Sequence, residues 1–138
     1  MLEKSCGTIP YTVREGKVFY LVIKDRYNGV CSFPKGHVEA GESEIETALR
    51  ETLEETSLQP VIQAEARYEL TYWLDNGNQK TAVYFLGDFQ SQVPARYKNF
   101  EDYMYLILPY EEAYQTLSAE NAKSMLQEAN AYLCGTRT

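Results

Sequence analysis

Gly36-His37-Val38-Glu39-Ala40-Gly41-Glu42, followed by Arg50-Glu51-Thr52-Leu53-Glu54-Glu55, decides how this chain is read. A loop punctuated by glycines leads into a helix over about 43–56, with Ser43 as N-cap and Glu46 three residues later, the spacing of a capping box. At about 100° per residue, Glu51, Glu54 and Glu55 share one narrow arc, because positions i, i+3 and i+4 are neighbours. Ile45, Ala48, Leu49, Thr52 and Leu53 fall on the other side and predict a core stripe. Three carboxylates this close repel one another unless a cation sits among them. Hard oxygen ligands suit Mg²⁺ or Mn²⁺, held through a few carboxylates, water and substrate phosphates. A lone Glu-x-x-Glu-Glu is ordinarily just the solvated face of a helix. The spacing around it is what separates the two readings.

That spacing runs from Gly36 through Glu42, Arg50-Glu51 and Glu54-Glu55 to Leu58. It resembles the Nudix box, Gx5Ex7REUxEExGU with U aliphatic. Thr52 stands where the box has an aliphatic residue, and Ser57 where it has its last glycine. The flanking Ser32-Phe33-Pro34-Lys35-Gly36-His37-Val38-Glu39, Tyr68-Glu69-Leu70-Thr71-Tyr72 and Gln79-Lys80-Thr81-Ala82-Val83-Tyr84 are similar to the asymmetric diadenosine tetraphosphate hydrolases of animal and archaeal type. So is the ending from Leu126-Gln127-Glu128 to Leu133-Cys134.

Composition narrows the classes. A chain of 138 residues, 44% hydrophobic, is expected to fold as one domain over 1–138 with a real core. No run approaches the roughly 20 apolar residues of a membrane span, and the first residues lack a signal-peptide pattern. The three cysteines, Cys6, Cys31 and Cys134, fit neither a disulfide framework nor a zinc site. Reduced thiols in a cytoplasmic protein are expected. The net charge of −7 argues against a general nucleic-acid binder but not against a small phosphate substrate, since bound metal ions reverse the local charge. Nothing in the composition bears on the oligomeric state.

Along the chain, residues 3–13 and 17–24 read as strands around a turn at Arg14-Glu15-Gly16. The second carries apolar residues on both faces and is expected to be buried on both. Tyr27 to Val30 is a turn signal, and a short strand from Val30 to Phe33 leads into the glycine loop. Strands over 61–74 and 79–90 flank the hairpin turn Asp75-Asn76-Gly77-Asn78. A strand from Tyr103 to Leu108 precedes a helix over 110–117 opened by Pro109. A last helix over 119–133 buries Ala122, Met125, Leu126, Ala129 and Leu133, and Gly135 follows it. The order predicts an α/β fold with a mixed central sheet between helices, in agreement with the α/β/α sandwich that the Nudix resemblance implies.

The resemblance also implies roles. Glu54 and Glu55 would be the main metal ligands, with Glu51 a further ligand or the base that activates water. The Gly36 carbonyl would be another ligand. Arg50 would orient the carboxylates, and Glu42 would serve the loop and helix start. Lys35 and Lys80 would contact the phosphate chain. Glu101 matches a glutamate outside the box that is a metal ligand or base candidate, so Glu51 and Glu101 both stand for the base. Tyr72 matches an aromatic that stacks on adenine. The second aromatic of that clamp maps to Ala119, and a histidine and its aromatic neighbour map to Val30 and Cys31. Tyr27 is the candidate to compensate. The implied reaction is metal-dependent hydrolysis of a nucleoside diphosphate-linked substrate, bis(5'-nucleosyl) tetraphosphate to ATP and AMP first. Alternatives are nucleoside triphosphates, ADP-ribose or the 5' end of RNA. A nucleotide sensor without turnover is a further one, disfavoured because every acidic position of the box is filled.

Overall fold

A computed structural model of the chain describes residues 2–95 and 103–135. Its elements are β1 (Leu2–Arg14), β2 (Lys17–Asp25), β3 (Cys31–Ser32), β4 (Lys35–His37), α1 (Glu44–Thr56), β5 (Val61–Trp73), β6 (Gln79–Asp88), β7 (Tyr103–Pro109), α2 (Tyr110–Thr116) and α3 (Glu120–Cys134). Glu15 and Gly16 turn β1 into β2 with φ of 51° and 77°. Two left-handed residues give a two-residue hairpin the twist of its strands.

The strands form one seven-stranded mixed sheet in the order β3-β2-β1-β6-β5, with β4 also on β1 and β7 also on β2. The long first strand organises it. Its first half lies between β4, antiparallel with Ser5 opposite His37 and Gly7 opposite Lys35, and β6, parallel from Leu2 opposite Gln79 to Tyr11 opposite Asp88. From Tyr11 onward β1 pairs with β2. Alternation along β1 sends Cys6 and Thr8 toward α1, and Ile9 and Tyr11 toward α2 and α3.

The two faces carry separate cores. Under α1, Cys6, Ala48, Val83 and Phe85 pack together, and Leu21, Ile23, Leu58 and Phe89 form a second cluster that includes Leu58, just past the end of α1. On the other face Ile9, Tyr20, Val22 and Leu86 pack with Ala113, Leu117, Met125, Leu126 and Ala129 of the α2–α3 region. The expected α/β/α sandwich is the observed one, and β2 is buried on both faces as its sequence requires.

Two local expectations are corrected. The strand expected over Val30 to Phe33 shortens to β3, and the segment read as a glycine loop contains β4, which Cys6 and its neighbours recruit by backbone pairing. The inner side of α1 is turned toward Glu55. Thr47, Ala48, Thr52, Glu55 and Thr56 are buried, while Leu49 and Leu53 are only half-buried. Threonines take this side because each hydroxyl finds a partner: Thr52 with Thr8 at 2.7 Å, Thr47 with Glu42 at 2.7 Å, and Thr56 with the Thr52 carbonyl at 2.6 Å. Pro109 ends β7 and is the N-cap of α2, which opens at Tyr110 as expected.

Candidate active site

The site begins at the N-terminus of α1. Ser43 Oγ accepts from the Glu46 N–H at 3.1 Å, and Glu46 Oε1 accepts from the Ser43 N–H at 2.8 Å. These two bonds complete the capping box. Just before it, the Glu42 carboxylate accepts from the Glu39 N–H at 3.0 Å, from Thr47 Oγ1 at 2.7 Å, and from Arg50 Nε at 2.7 Å and Nη2 at 3.0 Å. The Arg50 fork, then the Glu39 N–H and the Thr47 hydroxyl, hold Glu42 down at a pKa of about 2.

Arg50 ties this loop to the carboxylate cluster. Its Nη2 also donates to the His37 carbonyl at 3.0 Å, and its Nη1 donates to Glu51 at 2.8 Å and Glu54 at 3.3 Å. One guanidinium thus fixes the loop and two of the three glutamates, which a planar fork can do and an ammonium cannot. The same bonds, the one to Glu42 foremost, push Arg50 still further above its ordinary pKa.

Glu51 presses against the Gly36 backbone, and a Cβ at residue 36 would collide with its carboxylate. Glycine is required there for close approach, not for a special φ. Glu55 is the buried member of the cluster at 8% exposure. Burial, then the charge and hydrogen bond of Glu51, push it up to a pKa of about 8, against the opposing effect of Lys35 and its backbone N–H. The main chain of α1 is held at this point by Tyr105, whose hydroxyl donates to the Glu55 carbonyl at 2.8 Å.

Among the described residues, no three acidic, histidine or cysteine side chains already close a cage around a cation. The donor set fits a hard divalent ion nonetheless, since such ions are held by one or two carboxylates, with water and substrate oxygens filling the rest. Glu51 and Glu55 are in hydrogen-bond contact, and Glu51 and Glu54 meet at a single Arg50 nitrogen. A cation among these carboxylates would offset the repulsion and burial that now raise Glu55.

Lys35 connects the carboxylates to a pocket. Its pKa is lowered by burial and then by the nearby charge of Lys80, and Glu55 and Glu51 oppose the shift. On its other side a pocket of about 360 Å³ opens, lined by Lys35, Leu70, Tyr72 and Tyr84 from one wall and Val30, Cys31, Ser118, Ala119 and Asn121 from the other. The second wall is built by paired bonds: the Cys31 N–H to Ser118 Oγ at 2.9 Å and the Ser118 N–H to the Cys31 carbonyl at 3.1 Å.

The structure therefore brings together Lys35, Gly36, Arg50, Glu51, Glu54, Glu55, Tyr72 and Lys80. It also places Val30, Cys31 and Ala119, the positions where the clamp residues are missing, opposite Tyr72. Tyr27 is not brought in. It is 83% exposed, in a turn where its N–H donates to Asp25 Oδ1 at 2.8 Å. Glu101 lies outside the described residues. Gly7, Thr8, Tyr105 and Ser118 support the site without having been singled out in the sequence. Only Gly7 carried a local signal: a Cβ there would strike the Pro34 carbonyl and Lys35, so glycine lets the lysine segment cross β1.

An α/β/α sandwich with an Arg-clamped carboxylate helix over a glycine strand is the Nudix arrangement. The family described as NUDIX domain matches residues 4–129, and the chain belongs to it as a Nudix hydrolase. Among curated relatives, the bis(5'-nucleosyl)-tetraphosphatase [asymmetrical] of Rattus norvegicus is 38% identical over 75% of this chain and 71% of its own length. The protein of the same name from Sus scrofa is 32% identical over 97% of both chains. Among solved structures, a Caenorhabditis elegans Ap4A hydrolase binary complex superposes with a TM-score of 0.86 at 27% identity, covering 97% of this chain and 99% of that one. The resemblance to the asymmetric tetraphosphate hydrolases thus extends from motif to fold. Hydrolases of this family generally use a divalent metal ion. No helix among the described residues is long and apolar enough to cross a membrane.

Proposed function

We propose that this chain hydrolyses bis(5'-nucleosyl) tetraphosphates to ATP and AMP, acting as one unit over its length and in the cytoplasm. The observation that carries this reading is the place of Lys35. Its backbone faces Glu55, its side chain meets Lys80, and it lines the Tyr72 pocket. Carboxylates, two cations and a pocket of nucleobase scale thus lie in a row, which suits a metal-bound reacting phosphate, a phosphate chain and a nucleoside. The names of the rat, pig and nematode relatives support the same substrate class. The three free thiols, Cys6, Cys31 and Cys134, support the compartment.

Water attacks the phosphorus next to one nucleoside. A P–O bond to the water oxygen forms, the bond to the bridging oxygen breaks, and AMP and ATP separate. Gly36, Glu51, Glu54 and Glu55 would hold Mg²⁺ (or Mn²⁺), which when bound neutralises phosphate charge and lowers the pKa of water. Arg50 keeps Glu51 and Glu54 in position. Lys35 and Lys80 hold the phosphate chain, and Tyr72 stacks on a base. The proton of the attacking water goes to Glu51, or to Glu101 as the second candidate for that role and for metal ligation.

Product analysis with Mg²⁺ tests the reading, using diadenosine tetraphosphate, nucleoside triphosphates, ADP-ribose and 5'-triphosphorylated RNA. ATP plus AMP from the tetraphosphate, well above the other rates, is expected, and Glu54→Gln should abolish it. Turnover confined to another member of the panel would reassign the substrate. Binding without any turnover would favour a sensor.

A further inference from the structure

Ser5 is 1% exposed, and its Oγ is a buried side-chain atom without a hydrogen-bond partner. Buried hydroxyls are nearly always paired, so an unpaired one calls for a cause. Its place in the sheet suggests one. On the face toward α2 and α3, β1 presents Glu3, Ser5 and Gly7. Beside them β6 presents Lys80, Ala82 and Tyr84, and on the other flank β4 presents His37 and Lys35. Ser5 is the centre of this patch, and Lys80 and Lys35 are its opposite corners. With strands about 4.8 Å apart and a rise of about 3.3 Å per residue, those corners are about 16 Å apart along the backbone. Two extended lysines from such corners reach toward the middle, and Lys80 is the neighbouring charge that lowers the Lys35 pKa most. Ser5 thus lies beneath their meeting point. The neighbours Gly7 and Ala82 bring no polar side-chain atom to the hydroxyl, and His37 leans away toward Glu3, Nε2 to Oε1 at 3.8 Å.

We propose that Ser5 is a third contact for the phosphate chain, forming with Lys35 and Lys80 a cradle around one phosphate. The proposal rests on the reading of the two lysines as phosphate ligands. Two ammonium groups facing each other repel, and among the described residues neither is in an ion pair. A phosphate oxygen between them turns the contact favourable. As the lysines part around it, the hydroxyl below is uncovered and donates to the same phosphate.

The test compares Ser5→Ala with the unaltered protein in two measurements: calorimetric binding of inorganic tripolyphosphate, and steady-state hydrolysis of diadenosine tetraphosphate with Mg²⁺. The alanine variant should bind tripolyphosphate about 10- to 100-fold more weakly, the scale of one hydrogen bond to a charged group. Its KM should rise in proportion, kcat should stay within about twofold, and the thermal midpoint should not fall, because the lost hydroxyl had no partner in the fold. Unchanged tripolyphosphate affinity would overturn the proposal, and a lowered midpoint alongside it would mark the hydroxyl as structural. An unaltered protein that does not bind tripolyphosphate at all would also overturn it. If binding weakens as expected but neither protein cleaves the tetraphosphate, the cradle stands and the substrate assignment fails.

Discussion

Arg50 and Thr52 flank Glu51 in the box and show two ways a residue is held in its role. Arg50 spends its fork on Glu42, Glu51, Glu54 and the His37 carbonyl at once. Arg50→Lys keeps the charge and loses the fork, so the carboxylates should drift. Metal affinity and kcat/KM are expected to fall about 10- to 100-fold with the fold intact, the usual cost of removing a group that orients ligands. Calorimetric Mg²⁺ titration and steady-state kinetics would show it, and unchanged metal affinity would remove Arg50 from that role. Thr52 departs from the aliphatic residue of the box, and its partner accounts for it: the Thr8 hydroxyl lies 2.7 Å away, with both residues fully buried. Thr52→Val alone strands the Thr8 hydroxyl and should cost about 1–3 kcal/mol, whereas Thr8→Val with Thr52→Val should recover most of that loss. Urea unfolding of the two single variants and the double variant measures the coupling. Simple additivity would show that the bond contributes nothing specific.

At the scale of elements, α1 is anchored unevenly. Its start has the full capping box. Its end is Ser57, at φ 64° and ψ 8°, where the box usually has glycine. A side chain in the left-handed region costs about 1–2 kcal/mol, and glycine gives back about 0.5–1 kcal/mol of that through its extra freedom when unfolded. Ser57→Gly is therefore expected to stabilise the protein by about 0.5–1 kcal/mol and raise Tm by a few degrees, with kcat/KM unchanged; differential scanning calorimetry decides the sign. The helix was legible in the sequence because its cap and its carboxylate cluster are local patterns. β4 was not. Lys35, Gly36 and His37 have no strand pattern, and the segment is extended only because β1 offers it backbone partners. The break in register between Gln63 and Arg67 in β5 left no mark in the alternation either. The box predicted which side of α1 carries carboxylates but not that Glu55 would be buried, since that depends on how the helix is turned over β1.

At the scale of the whole molecule, β1 is what makes the site: β4, β6 and the floor beneath α1 all meet along it. Its neighbours bring residues from 35 to 80 within reach of one substrate, and no local pattern encodes that meeting. The charge of the molecule follows the same economy. With 20 acidic and 13 basic side chains, cations are few, and several are committed to holding α1. Arg50 clamps Glu42, and Arg67, with Lys4, clamps Glu44 through bonds of 2.8 and 2.8 Å from the guanidinium and 2.6 Å from the ammonium. The arginine bonds are the main cause that holds each carboxyl at a pKa of about 2, against 4.5 for a free glutamate. Both groups bind fewer protons folded than unfolded between those values. Their contribution is thus complete above about pH 4.5 and is lost as pH falls through about 2. Glu55, with its pKa raised to about 8, opposes this limb only near its upper end, because well below pH 4.5 it is protonated in both states. Urea unfolding of the metal-free protein between pH 5 and 2.5 should show stability dropping steadily. In Glu44→Gln the drop should be shallower, because one of the depressed carboxyls is gone, while the variant is already less stable at pH 5. An unchanged slope would mean that the Arg67 and Lys4 contacts to Glu44 do not persist in solution, and that α1 is held over the sheet by its apolar packing, its threonines and the Arg50 fork.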